Sequence, residues 1–237
     1  MIFKHSGNIF LFVLAMLALG FSTRMAKNEK RNIAGSMERL LEGEQRVLYP
    51  NGALKCAGSL ANGRREGIWR CWFENGLLEN EINFSAGKKD GKTKFWTVAG
   101  ENDFESYWKE GLLSGKSTYW FSGGKEKRLE AEYVAGKLHG TLMEWTPEGH
   151  LIVKSNYEAN ALQGLSEEWY PSGKKSLEAK YQNNQLSGQL IEWHENGSVK
   201  RKATYSEGKI VGIEENYSKE GRKISSEAPN LPSNGSR

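Results

Sequence analysis

The chain is poor in cysteine, proline and histidine, with two, five and four of them in 237 residues. Cys56 and Cys71 alone cannot build a multi-bridge disulfide framework. His139, His150 and His194 fall at three unrelated spacings, so they form no ladder and no triad with a fixed serine. There is no H-E-x-x-H, no C-x-x-C and no P-loop, which leaves metal and nucleotide chemistry without a motif. No cofactor, no metal and no catalytic residue is therefore expected, and the chain is not read as an enzyme. A net charge of +4 from 33 basic and 29 acidic residues gives no basic stripe of the kind that binds nucleic acid. Apolar residues make up only 38%, too few for a thick core, while aromatics reach 11%. That balance suits a thin sheet whose faces are carried by Trp and Tyr.

What the chain does have is glycine in two regular series. Gly43, Gly67, Gly91, Gly115, Gly140, Gly164, Gly188 and Gly212 recur every 24 residues, with one step of 25. Nine residues after each comes Gly52, Gly76, Gly100, Gly124, Gly149, Gly173, Gly197 or Gly221. Eight units of this kind over residues 42–226 define a repeat array. Pro50, Pro147 and Pro171 precede the second series at one offset, as in a three-residue hairpin loop closed by a left-handed Gly. A further turn falls at Gly63, Gly87, Gly111, Gly136, Asn160, Asn184 and Gly208, where Asn is the expected substitute for Gly. Each unit thus reads strand, tight turn, strand, tight turn, with no room for a helix. The expected fold is all-β: an elongated, single-layer antiparallel meander of eight hairpins, about sixteen strands, twisted as open sheets are. One extra residue between Gly124 and Tyr133 predicts a bulge or a lengthened turn there.

The aromatics keep the same period. Trp72, Trp96, Trp120, Trp145, Trp169 and Trp193 follow the opening glycines by five residues, with Leu48 and Tyr217 at the ends. Phe84, Trp108, Tyr133, Tyr157, Tyr181 and Tyr205 precede the second turn by three, with Leu60 in the first unit. A loop at Pro50-Asn51-Gly52 sets Leu48 opposite Leu54, and simple alternation then carries Trp and Tyr onto one face. The same register puts Cys56 and Cys71 on opposite faces of neighbouring strands, which disfavours a bond between them. Glu144, Glu168 and Glu192 each precede a Trp, so they face away from the tryptophans. They read either as an acidic strip for a basic partner or as ordinary solvated charge paired with lysines such as Lys154 and Lys175.

Residues 1–22 contain the apolar run Ile9–Phe21 behind Lys4 and His5. Its 13 residues match a signal-peptide core better than a membrane span of about 20. Ala18-Leu19-Gly20 offers a cleavage site, and no Cys follows to carry a lipid. Arg24, Lys27, Lys30 and Arg31 come directly after and favour a cytoplasm-facing anchor instead. The expectation is export, cleaved or tethered, with the cytoplasm-facing anchor as the alternative. Residues 23–41 form a polar linker in which Ser36 caps a short helix over the first strand edge. Residues 227–237 read as a disordered tail.

The pattern G-x4-[WY]-x3-G-x7-[YF]-x2-[GN]-x3-G, seen in GLSEEWYPSGKKSLEAKYQNNQLSG and GQLIEWHENGSVKRKATYSEGKIVG, resembles the MORN-repeat variant. Similar arrays occur in bacterial proteins of the YwqK-type antitoxin family, and the likeness covers about 185 of the 237 residues. It implies a non-enzymatic scaffold that binds protein or associates with membrane, in the role of an immunity partner of a toxin. The apolar front segment departs from a plain cytosolic antitoxin. The candidate binding face consists of the Trp and Tyr ladder from Trp72 to Tyr205, with glycines Gly52 to Gly221 as its structural turns. The competing expectation is a surface protein that stacks cell-wall or other carbohydrate on that ladder.

Overall fold

A computed structural model describes residues 42–227 of the chain. The front segment, the linker with its capped helix and residues 228–237 lie outside the described residues.

Seventeen strands follow one another: β1 (Gly43–Leu48), β2 (Leu54–Ala61), β3 (Arg64–Trp72), β4 (Leu78–Ser85), β5 (Lys88–Trp96), β6 (Asn102–Lys109), β7 (Leu112–Trp120), β8 (Lys127–Val134), β9 (Lys137–Trp145), β10 (Leu151–Glu158), β11 (Ala161–Trp169), β12 (Lys175–Gln182), β13 (Gln185–Trp193), β14 (Val199–Ser206), β15 (Lys209–Ile210), β16 (Glu214–Tyr217) and β17 (Lys223–Glu227). Each strand from β1 to β14 pairs antiparallel with its neighbours in sequence, and β16 pairs with β17, giving one open meander without a helix among the described residues. The count exceeds sixteen because the first strand of the eighth unit is broken around Gly212 into β15 and β16, both of which pair with β14. β17 runs to Glu227, one residue into the stretch expected as tail.

The two turns have the expected chemistry. In the sixth unit the Tyr170 N–H reaches Lys174 O at 2.8 Å and the Gly173 N–H reaches Tyr170 O at 2.8 Å, which closes a three-residue loop on Gly173. Gly173 has φ +80°, a conformation open to Gly and strained for a β-branched residue. Nothing lies within 4 Å of a Cβ placed there, so backbone strain alone opposes a side chain. Gly173→Val should lower stability by about 1–3 kcal/mol in a thermal melt. An unchanged melting temperature would contradict the turn assignment. The other turn is a two-residue loop with both φ values positive, as at Ala159 (50°) and Asn160 (72°). The extra residue of the fourth unit lengthens its loop, since Phe121 N–H reaches across to Glu126 O.

The opening glycines are not turn residues. Gly164 lies inside β11, where residues 163–165 bulge opposite the single residue Asn156 of β10. Its φ of +77° is the reason for Gly at that point. Asn156 Nδ2 donates to the bulged Leu165 carbonyl at 3.1 Å, and Asn83 does the same for Lys92 at 2.7 Å.

A second bulge overturns two expectations together. Leu48 does stand opposite Leu54, but Val47 stands opposite Cys56, so Lys55 is an extra residue. The same shift recurs one residue before every three-residue loop, for instance between Glu168↔Leu177 and Trp169↔Lys175. One inserted residue inverts the inside–outside parity of everything beyond it. Cys56 therefore faces Cys71 directly, with Cα atoms 4.0 Å apart, and the two form a disulfide. The Trp and Tyr series are carried to opposite faces of the sheet, not to one.

Neighbouring units are also stitched along both edges of the sheet. At one edge Glu66 accepts from the Ala86 N–H at 2.8 Å, and Asp90 from the Glu110 N–H at 3.1 Å. At the other, the Tyr170 hydroxyl donates to Trp193 O at 2.7 Å, and ring nitrogens of His150 and His194 bond Pro171 O and Tyr217 O at 2.8 and 2.9 Å. These two histidines thus hold successive units together.

Candidate functional site

The tyrosine face is built around a row of small side chains. Between Trp69 on β3 and Ala203 on β14 it includes Thr93, Ser106, Ser117, Ala131, Ser155, Ser166 and Ala179. All of those named are buried, Ala131 and Ala179 completely, although this is a single layer. Bulky residues two positions away on either side lean over them. Ser155 and Ser166 hydroxyls hydrogen-bond each other at 2.7 Å within the row.

One flanking row holds Phe84, Trp108, Tyr133, Tyr157, Tyr181 and Tyr205. Each stands opposite a bulge glycine on one side, as Tyr181 does opposite Gly164. On the other side Tyr157 and Tyr181 stand opposite Leu162 and Leu186. Phe84 is buried and the other rings are half-buried, and burial pushes the Tyr133, Tyr157 and Tyr181 hydroxyls above the usual phenol value.

The opposite flanking row is aromatic in units three and four and charged beyond. Phe104 contacts Phe95 and Tyr119 with ring centroids 6.1 and 4.4 Å apart. Further along stand Glu144, Val153, Glu168, Leu177, Glu192 and Arg201 as successive cross-strand partners. The three glutamates do face away from the tryptophans, but they share their face with the tyrosines. Arg201 binds Glu192 at 3.1 Å, Glu214 at 2.6 Å and the Tyr205 hydroxyl, and Lys200 also reaches Glu192 at 3.0 Å. Lys175 binds Glu167 and Glu178 on the other face, each at 2.7 Å, and not Glu168. Glu168 has no ion pair or hydrogen bond among the described residues.

The Glu168 side chain is exposed, yet the neighbours that partly desolvate its carboxyl, and then the charges of Glu144 and Glu192, hold it above the usual carboxylate range. A raised carboxyl pKa means that the fold disfavours the ionised form. The destabilisation is present above the raised value and vanishes as pH falls below the ordinary carboxylate value. Glu168→Gln should therefore raise the melting temperature at pH 7 and leave it unchanged near pH 3. A lower melting temperature at pH 7 would contradict this environment.

The tryptophan face is a polar lattice. Its central row includes Arg70, Glu81, Lys94 and Glu105 as consecutive cross-strand neighbours. Arg70 and Glu81 pair at 2.7 Å, Lys94 and Glu105 at 3.1 Å, and Lys116 and Glu130 at 2.8 Å. Lysine ammonium groups lie 6.0, 5.8 and 5.9 Å from the ring centres of Trp96, Trp145 and Trp193. The expected single ladder is thus two: a tryptophan row with lysines over Trp96, Trp145 and Trp193, and a tyrosine row beside a seam of buried small side chains. A cavity of about 370 Å³ at the lengthened turn is lined by Glu101, Phe121, Ser122, Gly123, Lys125, Glu126 and Pro147. No group of three or more potential metal ligands occurs among the described residues.

The MORN repeat variant family matches the chain at residues 65–86, 162–183 and 186–207. Three units are similar to the MORN repeat variant. Each match begins one residue inside an odd-numbered strand (β3, β11 or β13) and ends in the next two-residue turn, so it spans one bulged strand, one hairpin loop and one return strand. A search among curated proteins finds no match. The MORN-like matches at residues 162–183 and 186–207 carry Glu168, Tyr181, Glu192 and Tyr205. Strand alternation could separate these glutamates from the tryptophans. Their company with the tyrosines was hidden, because the extra residue of each return strand has no constant identity: it is Lys55, Glu79, Asp103 or Ser176.

Proposed function

We propose that the chain is a non-enzymatic repeat scaffold that binds a protein partner through its tyrosine face, serving as the immunity or antitoxin partner of a toxin. The observation that carries this reading is the tyrosine row from Tyr133 to Tyr205 beside a seam of buried small side chains, on a face that no second layer covers among the described residues. Half-buried Tyr and Leu side chains supply apolar area together with polar tips, the mixture found where binding energy concentrates. The lysines above Trp96, Trp145 and Trp193 occupy ring faces on which a sugar would stack, so carbohydrate binding is the weaker reading. Export, cleaved or tethered, is part of the proposal. The Cys56–Cys71 disulfide supports it, because such bonds persist in oxidising compartments.

A photoreactive amino acid placed at Tyr157, and separately at Lys154 on the opposite face, tests the binding reading in host cells. One defined protein adduct from position 157 and none from position 154 is the expected result. Adducts from position 154 alone, or to glycan, would overturn it. For the immunity role, cells lacking the chain should be inhibited in contact with wild-type siblings; normal growth there removes that role.

A further inference from the structure

We propose that the tyrosine face between Tyr157 and Tyr181 docks a polyproline II segment of a protein partner, with a Lys or Arg side chain of that segment seated at Glu168. The inference rests on the protein-binding reading of the same face and names the chemistry of what binds there.

Charge selects the occupant. The charged groups in the row that faces units five to seven are Glu144, Glu168, Glu192 and Arg201. Arg201 and Lys200 are engaged with Glu192, and neither reaches Glu168. Glu144 has interactions of its own, so Glu168 is the carboxylate left for an incoming cation, with Leu177 opposite it and the Tyr181 hydroxyl, from the row across the small side chains, near enough to feel its charge. Partial burial first, and then the like charges of Glu144 and Glu192, hold its carboxyl above the usual range. A guanidinium or ammonium group placed here gains a charge-assisted contact, with Tyr181 the nearby aromatic. The early units are unsuited to the same ligand, because Arg65 already lies 4.7 Å from the Trp69 ring centre and Lys89 lies 4.3 Å from that of Trp108. An anionic lipid surface would meet Glu168 with like charge.

Spacing selects the conformation. Successive tyrosines are two strand separations apart, about 9.6 Å. A polyproline II helix presents the same side every third residue, about 9.3 Å along its axis. A segment lying across the strands can therefore place equivalent side chains on consecutive rungs. A β-strand ligand would turn every second residue away. It would also need unpaired backbone groups, which the middle of a sheet does not offer.

The test uses the full chain and a fluorescein-labelled peptide of four Pro-Lys-Pro triplets, read by fluorescence anisotropy. Two comparison peptides carry Pro-Glu-Pro or Gly-Lys-Ser triplets. Saturable binding of the Pro-Lys-Pro peptide is expected, weakening with salt and exceeding both comparisons. Glu168→Gln should weaken it about tenfold, the loss of one charge-assisted contact. Glu195→Gln, an equal charge change in the turn before β14, should leave it unaltered. Equal binding of either comparison peptide, an equal loss from Glu195→Gln, or no saturable binding overturns the proposal. If position 157 still cross-links a protein while the peptide fails, the scaffold reading survives and only this inference falls.

Discussion

Valine at position 58 is expected to remove about 3 kcal/mol of stability and to unravel the first units of the array ahead of the rest. Gly58 lies on β2 beneath the Trp69 indole, and a Cβ there would fall inside the ring's van der Waals surface. Trp69 cannot yield without loss. It is 7% exposed, its Nε1–H donates to Ser59 O at 2.9 Å, and the Arg65 guanidinium covers its ring. Displacing it gives up burial and leaves an indole N–H to find another acceptor, a change of the same kind as truncating a buried Trp. Units in a repeat array contact only their neighbours, so the damage should stay local. Hydrogen exchange should accelerate over residues 43–85 and remain slow in β11 to β14. Adding Trp69→Ala tests the cause. If the contact is responsible, Gly58→Val will do little further harm in that background. Additive losses would show that Gly58 matters for another reason.

The second large effect is expected from the disulfide. Cys56 and Cys71 are 15 residues apart, and closing a loop of that size stabilises a fold by about 3 kcal/mol. β1 and β2 make the end of an open sheet, where only one neighbouring hairpin can compensate for lost order. Reduction, or replacement of both cysteines by serine, should lower the first transition of a chemical unfolding curve. It should expose β1 to β3 to protease while leaving Gly164 to Tyr205 protected. Thiol titration of native protein purified from its host should find no free thiol. Two reactive thiols, or a transition indifferent to reductant, would refute the pairing.

Much of the architecture was legible because it rests on backbone demands that few residues meet. The loop at Pro171-Ser172-Gly173 announced itself through Pro and Gly, and the turn at Asn160 through the one common side chain that tolerates positive φ. The likeness to the MORN repeat variant was carried by the same positions, together with the Trp and Tyr between them. The opening glycines keep the same period without being turns, because a positive φ inside a bulge asks for Gly just as a turn does. The candidate site was half legible. The tyrosines and glutamates could be picked out by period. That they share a face, and that the tryptophans lie on the other, could not.

The sequence by itself determined the repeat, its length, its turn types and the absence of room for helices, since each follows from local φ preferences and from spacing along the chain. The tertiary structure decided which residues look the same way. Facing in a sheet has period two, so a single extra residue in each return strand, at Lys55 or Ser176, reverses it. That reversal joined Cys56 to Cys71, placed Glu168 beside Tyr181 and separated one expected aromatic ladder into two. An insertion of that kind is held in place by pairing across strands, which local sequence does not record.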